Sequence, residues 1–231
     1  MSLPVVDVRG LQYRYPDGAY ALRGVDFQLA AGESVALFGA NGSGKTTFLL
    51  HLAGLLRGEG DLRIGGLPLN DETLPDIRRI VGYVFQDSDD QLFMPTVLED
   101  VAFGPLHQGV DGVEATRRAR ETTAALGISH LENRAPYHLS AGEKKRAAIA
   151  GVLVMTPDVL VFDEPTTFLD PPGQGDLARL LQELPQAKLI ATHDVSFARR
   201  VAQRAIFFAG GRIAGDGPVE EIADRFHWRL D

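Results

Sequence analysis

The chain has 231 residues, of which 45% are hydrophobic, and this suits one sizeable domain with a packed core. The formal net charge of −8 disfavours nucleic-acid binding through a basic surface. The sequence contains no cysteine, which excludes disulfides and cysteine-ligated metals and is compatible with a reducing cytosol.

The first part of the chain is predicted to form an antiparallel β layer. Residues 5–9 and 11–15 alternate apolar and polar side chains like two half-buried strands, and residues 16–18 read Pro-Asp-Gly, a turn. Residues 22–29 alternate in the same way, and residues 61–64 form another short strand. The strands within residues 5–29 are predicted to form one antiparallel layer beside the strand at residues 35–38.

A glycine-rich loop follows the strands within residues 5–29, and it reads G-A-N-G-S-G-K-T over residues 39–46. The apolar run 35–38 predicts a buried strand before the loop, and residues 47–53 predict a helix after it. Strand, G-x-x-x-x-G-K-T and helix are the context of a phosphate-binding P-loop, because glycines let backbone N–H groups curve around an anion and the helix N-terminus adds partial positive charge. The residues predicted to contact nucleotide here are Gly39, Ala40, Asn41, Gly42, Ser43, Gly44, Lys45, Thr46 and Thr47.

Two side chains of the loop have more specific expected roles. Lys45 can reach the β- and γ-phosphates and is predicted to be catalytic, and the Thr46 hydroxyl can ligate Mg²⁺. The alternative is a glycine turn with a chance lysine, which the flanking strand and helix disfavour.

A mainly helical stretch follows a strand predicted at residues 80–85, which ends at Gln86. No linker rich in Pro, Gly or Ser flanks residues 87–154, so we expect an inserted helical subdomain within a single domain that covers residues 1–231. The other two parts of that domain are expected to form the nucleotide-binding α/β core: residues 1–86 and 155–231.

Two capping boxes mark helix starts in this stretch. Thr96 is followed three residues later by Glu99, and Ser140 by Glu143, the spacing at which the two side chains cap the first helical turn. A further helix is predicted over residues 113–126.

The α/β pattern resumes after the helical stretch. Residues 159–162 are all apolar, as in a strand buried within a parallel sheet. The elements predicted after it are a helix at 175–184, a strand at 188–191, a helix at 195–201, a hairpin of 205–208 and 212–214, and a short helix at 218–223. The predicted fold class is α/β, a P-loop NTPase with a mostly parallel central sheet, an N-terminal antiparallel β subdomain and an inserted α-helical subdomain.

Asp163 and Glu164 directly follow the strand at 159–162. Ligands of parallel α/β sheets bind at the carboxyl ends of the strands, where the P-loop also lies, so the two sites should converge. Asp163 is predicted to hold Mg²⁺ through its water shell, and Glu164 to orient or deprotonate the attacking water. The alternative is a solvated acidic pair, which the presence of the P-loop disfavours.

Three short motifs lie outside the P-loop. Residues 139–143 read L-S-A-G-E, residues 169–170 read Leu-Asp, and His193 follows the predicted strand 188–191. Together with Gln86, they resemble the signature motif, D-loop, switch histidine and Q-loop of the ATP-binding-cassette (ABC) ATPases, and the resemblance covers nearly the full chain. The signature departs from the usual L-S-G-G-Q at its third and fifth positions.

The resemblance implies roles for single residues. Tyr15 stands where the family places an aromatic ring against adenine, Tyr13 being the less favoured candidate and packing of Tyr15 in the core an equal alternative. His193 would contact the γ-phosphate and the attacking water, although an isolated histidine is more often structural. Gln86 is expected to be catalytic and to sense Mg²⁺, and Asp170 is expected to bind nucleotide.

The family pairs two chains head to tail around nucleotide. Ser140 and the Gly142 amide would therefore touch the γ-phosphate held by the partner's P-loop. Glu143 adds negative charge beside that phosphate, and no role is carried over to it. The resemblance implies a homodimeric enzyme that hydrolyses ATP to ADP and phosphate with Mg²⁺ and is coupled to transmembrane transport.

The stretch after Gln86 narrows the resemblance. Residues 87–105 are similar to the ATPases of energy-coupling-factor importers, which take up vitamins and transition metals, and the cobalt and nickel branch is the most similar. Acidic residues together with exposed Leu92 and Phe93 would suit docking of a membrane-embedded transporter subunit, the alternative being a polar loop with two core residues.

Several features of the chain bear on its place and cargo. No uninterrupted apolar run reaches the roughly 18 residues of a membrane span, and residues 1–4 lack a signal-peptide layout, so we expect a peripheral protein at the cytoplasmic face of the membrane. Many vitamin-importer ATPases carry a C-terminal extension, and the end at Asp231 favours the homodimeric cobalt, nickel or biotin branches. The alternatives are a vitamin importer, a soluble ABC ATPase of translation or DNA repair, and a regulatory module without turnover. Nucleic acid is not an expected partner.

Overall fold

A computed structural model describes residues 4–228, and its elements follow the predicted alternation of strands and helices. Its strands are β1 (Val6–Arg14), β2 (Tyr20–Leu29), β3 (Ser34–Phe38), β4 (Glu59–Ile64), β5 (Leu67–Pro68), β6 (Val81–Val84), β7 (Val159–Asp163), β8 (Ala187–Ala191), β9 (Arg204–Ala209) and β10 (Arg212–Pro218). Its helices are α1 (Lys45–Leu52), α2 (Leu74–Ile80), α3 (Val97–His107), α4 (Gly112–Ala125), α5 (Ala141–Leu153), α6 (Pro171–Glu183), α7 (Val195–Val201) and α8 (Val219–Arg225).

The strands form two sheets, and both agree with the predicted fold class. The central sheet has six strands in the order β10-β9-β3-β8-β7-β6, all neighbours being parallel except the antiparallel edge pair β9–β10. The second sheet is antiparallel in the order β2-β1-β4-β5. The mostly parallel sheet and the N-terminal antiparallel layer are therefore confirmed.

The interior of the central sheet explains why its strands are so apolar. Every residue of β3, β7 and β8 is buried, because helices or the second sheet cover both faces of a parallel sheet. Apolar side chains of the antiparallel layer, of α1 and of the central sheet share one core, which includes Val8, Phe27, Phe48, Leu189 and Phe208. This packing fixes the carboxyl ends of β3 and β7 on the same edge of the sheet, with only β8 between them.

Helices α3, α4 and α5 lie between β6 and β7 in the chain and pack on the far side of the central sheet. Thr96 caps α3 by accepting a hydrogen bond from the Glu99 N–H, and Ser140 caps α5 in a complete capping box with Glu143. Both predicted helix starts are thus confirmed. No helix within residues 4–228 has the length and hydrophobicity that crossing a bilayer requires.

The local predictions were wrong in two places. The strands predicted at 5–9 and 11–15 are one strand, β1, whose register shifts between Val8 and Leu11, where Gly10 takes a φ of +61°. The strand predicted at 80–85 is shorter, because Ile80 closes helix α2, which the sequence analysis missed. Leu74, Ile77 and Ile80 share one face of this seven-residue helix, and the segment is too short for that spacing alone to separate a helix from a strand.

Candidate nucleotide-binding site

A cavity of about 640 Å³ opens at the carboxyl edge of the central sheet, where β3 and β7 end. The residues predicted from the sequence that line it are Tyr15, Asn41, Gly42, Gly44, Lys45, Thr46, Thr47, Gln86, Asp163, Glu164 and His193. The P-loop, the acidic pair and the histidine therefore meet in one place, as the parallel-sheet argument predicts. The cavity also has walls that the sequence analysis did not find: Ala19, Tyr20, Ala21 and Thr167.

The P-loop glycines are required by the backbone around them. Gly39 has a φ of +142°, and a Cβ there would collide with the carbonyl oxygen of Phe208. Gly44 has a φ of +110°, and its Cβ would lie 2.6 Å from the carbonyl oxygen of Ala21. Both positions need glycine for conformation and for space. The loop is therefore held against β2 and β9 with its shape set before any ligand arrives.

The start of α1 has the features of an anion site. Gly44 is the N-cap and provides no side-chain cap, and the first turn holds no acidic residue. The hydroxyl of Ser43 is buried without a hydrogen-bond partner, which is an unusual cost unless a ligand supplies one. A phosphate would meet the positive end of the helix dipole and a donor that lacks a partner.

Lys45 is buried, with 8% of its surface exposed. Its Nζ donates to the carbonyl oxygens of Gly39 at 2.6 Å and of Ala40 at 3.2 Å. Burial lowers the pKa of Lys45, and the charges of Glu164 and Asp163 oppose that shift. A phosphate in the cavity would give this ammonium the nearby negative partner that it needs when desolvated.

The oxygen atoms of Thr46, Gln86 and Asp163 are hard ligands on the same cavity, which fits Mg²⁺ shared with phosphate oxygens and water. Asp163 is buried, and Tyr83 donates its hydroxyl to Asp163 Oδ2 at 3.2 Å. Burial, with the Asp163 charge as a second cause, raises the pKa of Tyr83, so its proton stays in place to orient the carboxylate. Tyr83 is a supporting residue that the sequence analysis missed.

Glu164 and His193 form a hydrogen-bonded pair. His193 Nδ1 lies 2.8 Å from Glu164 Oε2, and the backbone N–H of His193 donates to the same oxygen at 3.3 Å. The backbone N–H of Glu164 donates to the carbonyl of Ala191 at 2.9 Å, and Glu164 takes a φ of +43° in the left-handed region. A non-glycine residue there is held by its surroundings. The carboxylate is thus fixed beside the cavity, where it can accept a proton from a bound water.

Tyr15 borders the cavity, and Tyr13 lies behind it. The Tyr15 hydroxyl is 2.9 Å from the Thr47 Oγ1, so the ring is tied to the first turn of α1. Tyr13 packs edge-on against both Tyr15 and the buried ring of His51. Of the two tyrosines, only Tyr15 lines the cavity, so it is the one whose ring an adenine could contact.

Ser140 and Gly142 do not line this cavity. They border a separate pocket of about 220 Å³ together with Glu143. Both the N–H and the hydroxyl of Ser140 donate to Glu143 Oε2 at 2.8 Å, and these hydrogen bonds lower the pKa of Glu143. Asp170 does not line the cavity either, and it caps α6 by accepting a hydrogen bond from the Gly173 N–H at 2.9 Å. Within one chain these three residues are not brought to the P-loop.

The predicted docking pair is half wrong. Leu92 was expected on the surface, but it is only 8% exposed and packs in the helical core. Phe93 is 63% exposed and contacts Phe103 edge-to-face, and Phe103 stacks on His107. The carboxylate of Asp100 explains the difference, because it accepts from the Phe93 and Met94 N–H groups and turns the chain there.

The segment 85–91 is fastened to the first turns of α5 by three side chains. Lys145 Nζ donates to the carbonyls of Phe85 and Gln86 at 3.1 and 2.9 Å, and burial lowers the pKa of this lysine to about 8. Lys144 Nζ pairs with Asp89 at 2.6 Å. Gln91 accepts from the Phe85 N–H and donates to the Ala148 carbonyl at 2.7 Å. These contacts therefore hold Gln86 and the first turns of α5, which begin after Ser140, in a fixed position relative to each other.

A protein-family model described as "ABC transporter" matches residues 22–167. The chain is 52% identical over 223 residues to a putative ABC transporter ATP-binding protein of Geobacter sulfurreducens, with 96% of this chain and 90% of that protein covered. It is 43% identical over 224 residues to the energy-coupling factor transporter ATP-binding protein EcfA of Methanocaldococcus jannaschii, with 94% and 80% covered.

Two solved structures resemble the fold closely. One is cbiO1 from Clostridium perfringens, described as part of the ABC transporter complex cbiONQ, with a TM-score of 0.87, 35% identity, and 97% of this chain and 92% of that chain covered. The other is a dimeric ATP-binding cassette in a post-hydrolysis state bound to ADP and Pi, with a TM-score of 0.82, 29% identity, and 93% and 98% covered.

Proposed function

The chain belongs to the ABC transporter family as an ATP-binding subunit, and from that premise we propose that it powers an energy-coupling-factor importer of cobalt or nickel. The identity with EcfA and the likeness to cbiO1 support an importer of this type. The cobalt or nickel cargo rests on the resemblance of residues 87–105 to that branch. An importer of biotin or another vitamin is the alternative.

The single observation that carries the ATPase chemistry is the meeting of the P-loop, Asp163, Glu164 and His193 on one cavity. Lys45 and the P-loop amides would hold the β- and γ-phosphates and stabilise the charge that develops as the γ-phosphoryl group leaves. Glu164 would take the proton of the attacking water, and His193 keeps that carboxylate oriented. Mg²⁺, which Thr46, Gln86 and Asp163 would hold, neutralises phosphate charge when bound.

The active form is proposed to be a head-to-tail homodimer. Ser140 and Gly142 of one chain would contact the triphosphate held by the other, which accounts for their place in a pocket of their own. Solved relatives of this fold include a dimeric cassette bound to ADP and Pi. Binding of ATP would close the dimer, and hydrolysis would reopen it.

The membrane subunit is proposed to dock on the surface that residues 87–105 form. Phe93 and Phe103 supply an exposed aromatic contact, and the exposed carboxylate of Asp90 would steer a basic partner segment. With such a partner, the chain would sit peripherally on the cytoplasmic face of the membrane.

Transport itself tests the cargo. The chain would be co-purified with its membrane subunits, reconstituted into proteoliposomes, and supplied with Mg·ATP on its own side of the bilayer. We expect ATP-dependent uptake of radioactive Co²⁺ or Ni²⁺ that stops with the Glu164→Gln variant. Uptake of biotin with no uptake of either metal would replace the metal assignment by the vitamin alternative.

The homodimer has a separate test. Glu164→Gln keeps the nucleotide contacts and removes the base, so this variant should accumulate as a closed dimer with Mg·ATP. Size-exclusion chromatography coupled to light scattering measures the mass directly. A variant that binds ATP by calorimetry but remains monomeric at every protein concentration would contradict the sandwich.

A further inference from the structure

His51 lies in the last turn of α1, and its ring is fully buried, with 0% of its surface exposed. Its Nδ1 lies 2.7 Å from the carbonyl oxygen of Thr47. Because a carbonyl can only accept, Nδ1 carries a proton and donates this hydrogen bond. Burial lowers the pKa of His51, which favours the neutral ring with Nε2 as a bare acceptor.

The Nε2 atom of His51 is buried, and no group within residues 4–228 donates a hydrogen bond to it. It faces Gly58, where a Cβ would lie 3.1 Å from Nε2 and 2.2 Å from the carbonyl oxygen of Gln12. A buried acceptor without a partner costs stability, and an apolar side chain of similar shape would avoid that cost. Packing alone therefore does not explain a histidine at this position.

The His51 ring also contacts the tyrosines at the edge of the nucleotide cavity. It packs edge-on against Tyr13, with 4.8 Å between the ring centroids, and Tyr13 packs edge-on against Tyr15 at 5.0 Å. The Tyr15 hydroxyl lies 2.9 Å from Thr47 Oγ1. Since the Thr47 carbonyl accepts from His51, the contacts among these four residues form a closed circuit. His51 is the member of this circuit that reaches Tyr15 from two sides, through Tyr13 and through Thr47.

We propose that His51 is a positioning residue for ATP, which fixes the angle at which the Tyr15 ring meets adenine. The inference rests on the proposed ATPase function, in which Tyr15 contacts the base. One contact of His51 sets the place of Tyr13 behind Tyr15, and the other holds the backbone of Thr47, whose hydroxyl contacts that of Tyr15. The strength of an aromatic contact depends on the offset and angle of the rings, so a ring that is already held in place binds a base more tightly.

Two variants separate the two contacts of His51. His51→Phe keeps a ring beside Tyr13 and removes the donor to Thr47, whereas His51→Asn keeps a donor near the place of Nδ1 and removes the ring. We expect each variant to weaken ATP binding about fivefold and to leave the affinity for inorganic triphosphate unchanged, measured by isothermal titration calorimetry with Mg²⁺. Phe27→Leu is the control, because it trims an edge-on contact with Phe48 of the same helix. It should lower the melting temperature and leave both affinities unchanged.

A double-mutant cycle with Tyr15→Ala tests whether His51 acts through Tyr15. Without the tyrosine ring there is nothing left to position, so His51→Phe should cause no further loss of ATP affinity in that background. A further loss of similar size there, or equal losses for ATP and triphosphate in the single variants, would show that His51 only supports the fold of α1 and would overturn the proposal. A preferential loss of ATP in only one of the two single variants supports it and identifies the contact that matters.

The same cycle separates this inference from the function on which it rests. If Tyr15→Ala loses ATP preferentially and neither His51 variant does, only the role of His51 is overturned. If Tyr15→Ala shows no preferential loss of ATP, the adenine contact and the role of His51 fail together. Triphosphate binding that still depends on Lys45 would then keep the phosphate site in place.

Discussion

Two helices of this protein begin at residues that the sequence marks as phosphate contacts, and they begin in opposite ways. Helix α1 starts after Gly44, with no side-chain cap and no acidic residue in its first turn. Helix α5 starts at Ser140, whose N–H and hydroxyl are both bonded to the carboxylate of Glu143. One helix end is open to an anion, and the other already holds one of its own.

This difference means that a triphosphate would bind the two helix ends under different conditions. At α1, a phosphate adds to donors such as the buried hydroxyl of Ser43, which has no partner. At α5, a phosphate would have to displace the carboxylate of Glu143, whose pKa is lowered by the hydrogen bonds from Ser140. The first end should bind nucleotide from the monomer, and the second should act only when dimer closure supplies the energy to break the cap. Each of the following substitutions tests one side of this comparison.

The largest effect is expected at the open end. Lys45→Ala removes the main positive side chain of the P-loop, so ATP affinity should fall at least about a hundredfold, which corresponds to about 2.7 kcal/mol. Isothermal titration calorimetry measures this. Arg63→Ala removes a half-exposed cation that pairs with Asp61 and does not line the cavity, so it serves as the control, with unchanged affinity. An unaltered dissociation constant for Lys45→Ala would mean that the P-loop is not the primary anion site.

The next effect is at the capped end. Ser140→Ala removes the hydroxyl that would reach the partner's phosphate, so the closed dimer of the Glu164→Gln background should weaken about tenfold. The loss of the cap should also lower the free energy of unfolding by about 1 kcal/mol. Thr96→Ala, which removes the corresponding cap of α3, should cost similar stability and leave the dimer unchanged. A dimer equally sensitive to both would indicate a general folding effect.

A gain of function is expected from Glu143→Gln. The neutral side chain caps less strongly and yields Ser140 to phosphate more easily, so the Mg·ATP dimer should tighten by roughly threefold. Glu99→Gln, at the same capping position of α3, is the matched control and should have no effect on dimerisation. A weaker dimer in Glu143→Gln would show that the carboxylate assists closure and does not compete with it.

The smallest effect is expected at Tyr15, where adenine is proposed to bind. Tyr15→Phe keeps the ring and removes only the hydrogen bond to Thr47, so ATP affinity should change by less than about threefold. Tyr15→Ala removes the ring and should weaken ATP by about tenfold while leaving the affinity for inorganic triphosphate unchanged. Equal losses of affinity for ATP and for triphosphate would show that Tyr15 acts through its hydrogen bond to α1 and not through contact with adenine.

The sequence was most informative where the backbone allows few residues. Gly39 and Gly44 are required by their φ values and by close carbonyl oxygens, so the P-loop could be recognised from its spacing. Ser140 and Glu143 form a local capping box, and a local interaction can be read from a short segment.

Features that depend on tertiary contacts could not be predicted from the sequence. Whether Leu92 or Phe93 faces solvent depends on the hydrogen bonds of Asp100 to the turn, which the polarity of the loop does not reveal. Ala21 borders the cavity only because β2 passes beneath Gly44. Helix α2 has only seven residues, so its three apolar positions, Leu74, Ile77 and Ile80, were too few to identify a helix by periodicity.

The three side chains that fasten segment 85–91 to α5 have a mechanical consequence. Phe93 follows Gln91 by two residues. The side chain of Gln91 is hydrogen-bonded both to the Phe85 N–H, just after β6, and to the Ala148 carbonyl in α5. Because these contacts tie segment 85–91 to α5, we expect a displacement of Phe93 to move Gln86 and the first turns of α5 together. Lys145, which donates to the carbonyls of Phe85 and Gln86, would make the spacing between this segment and α5 resistant to change.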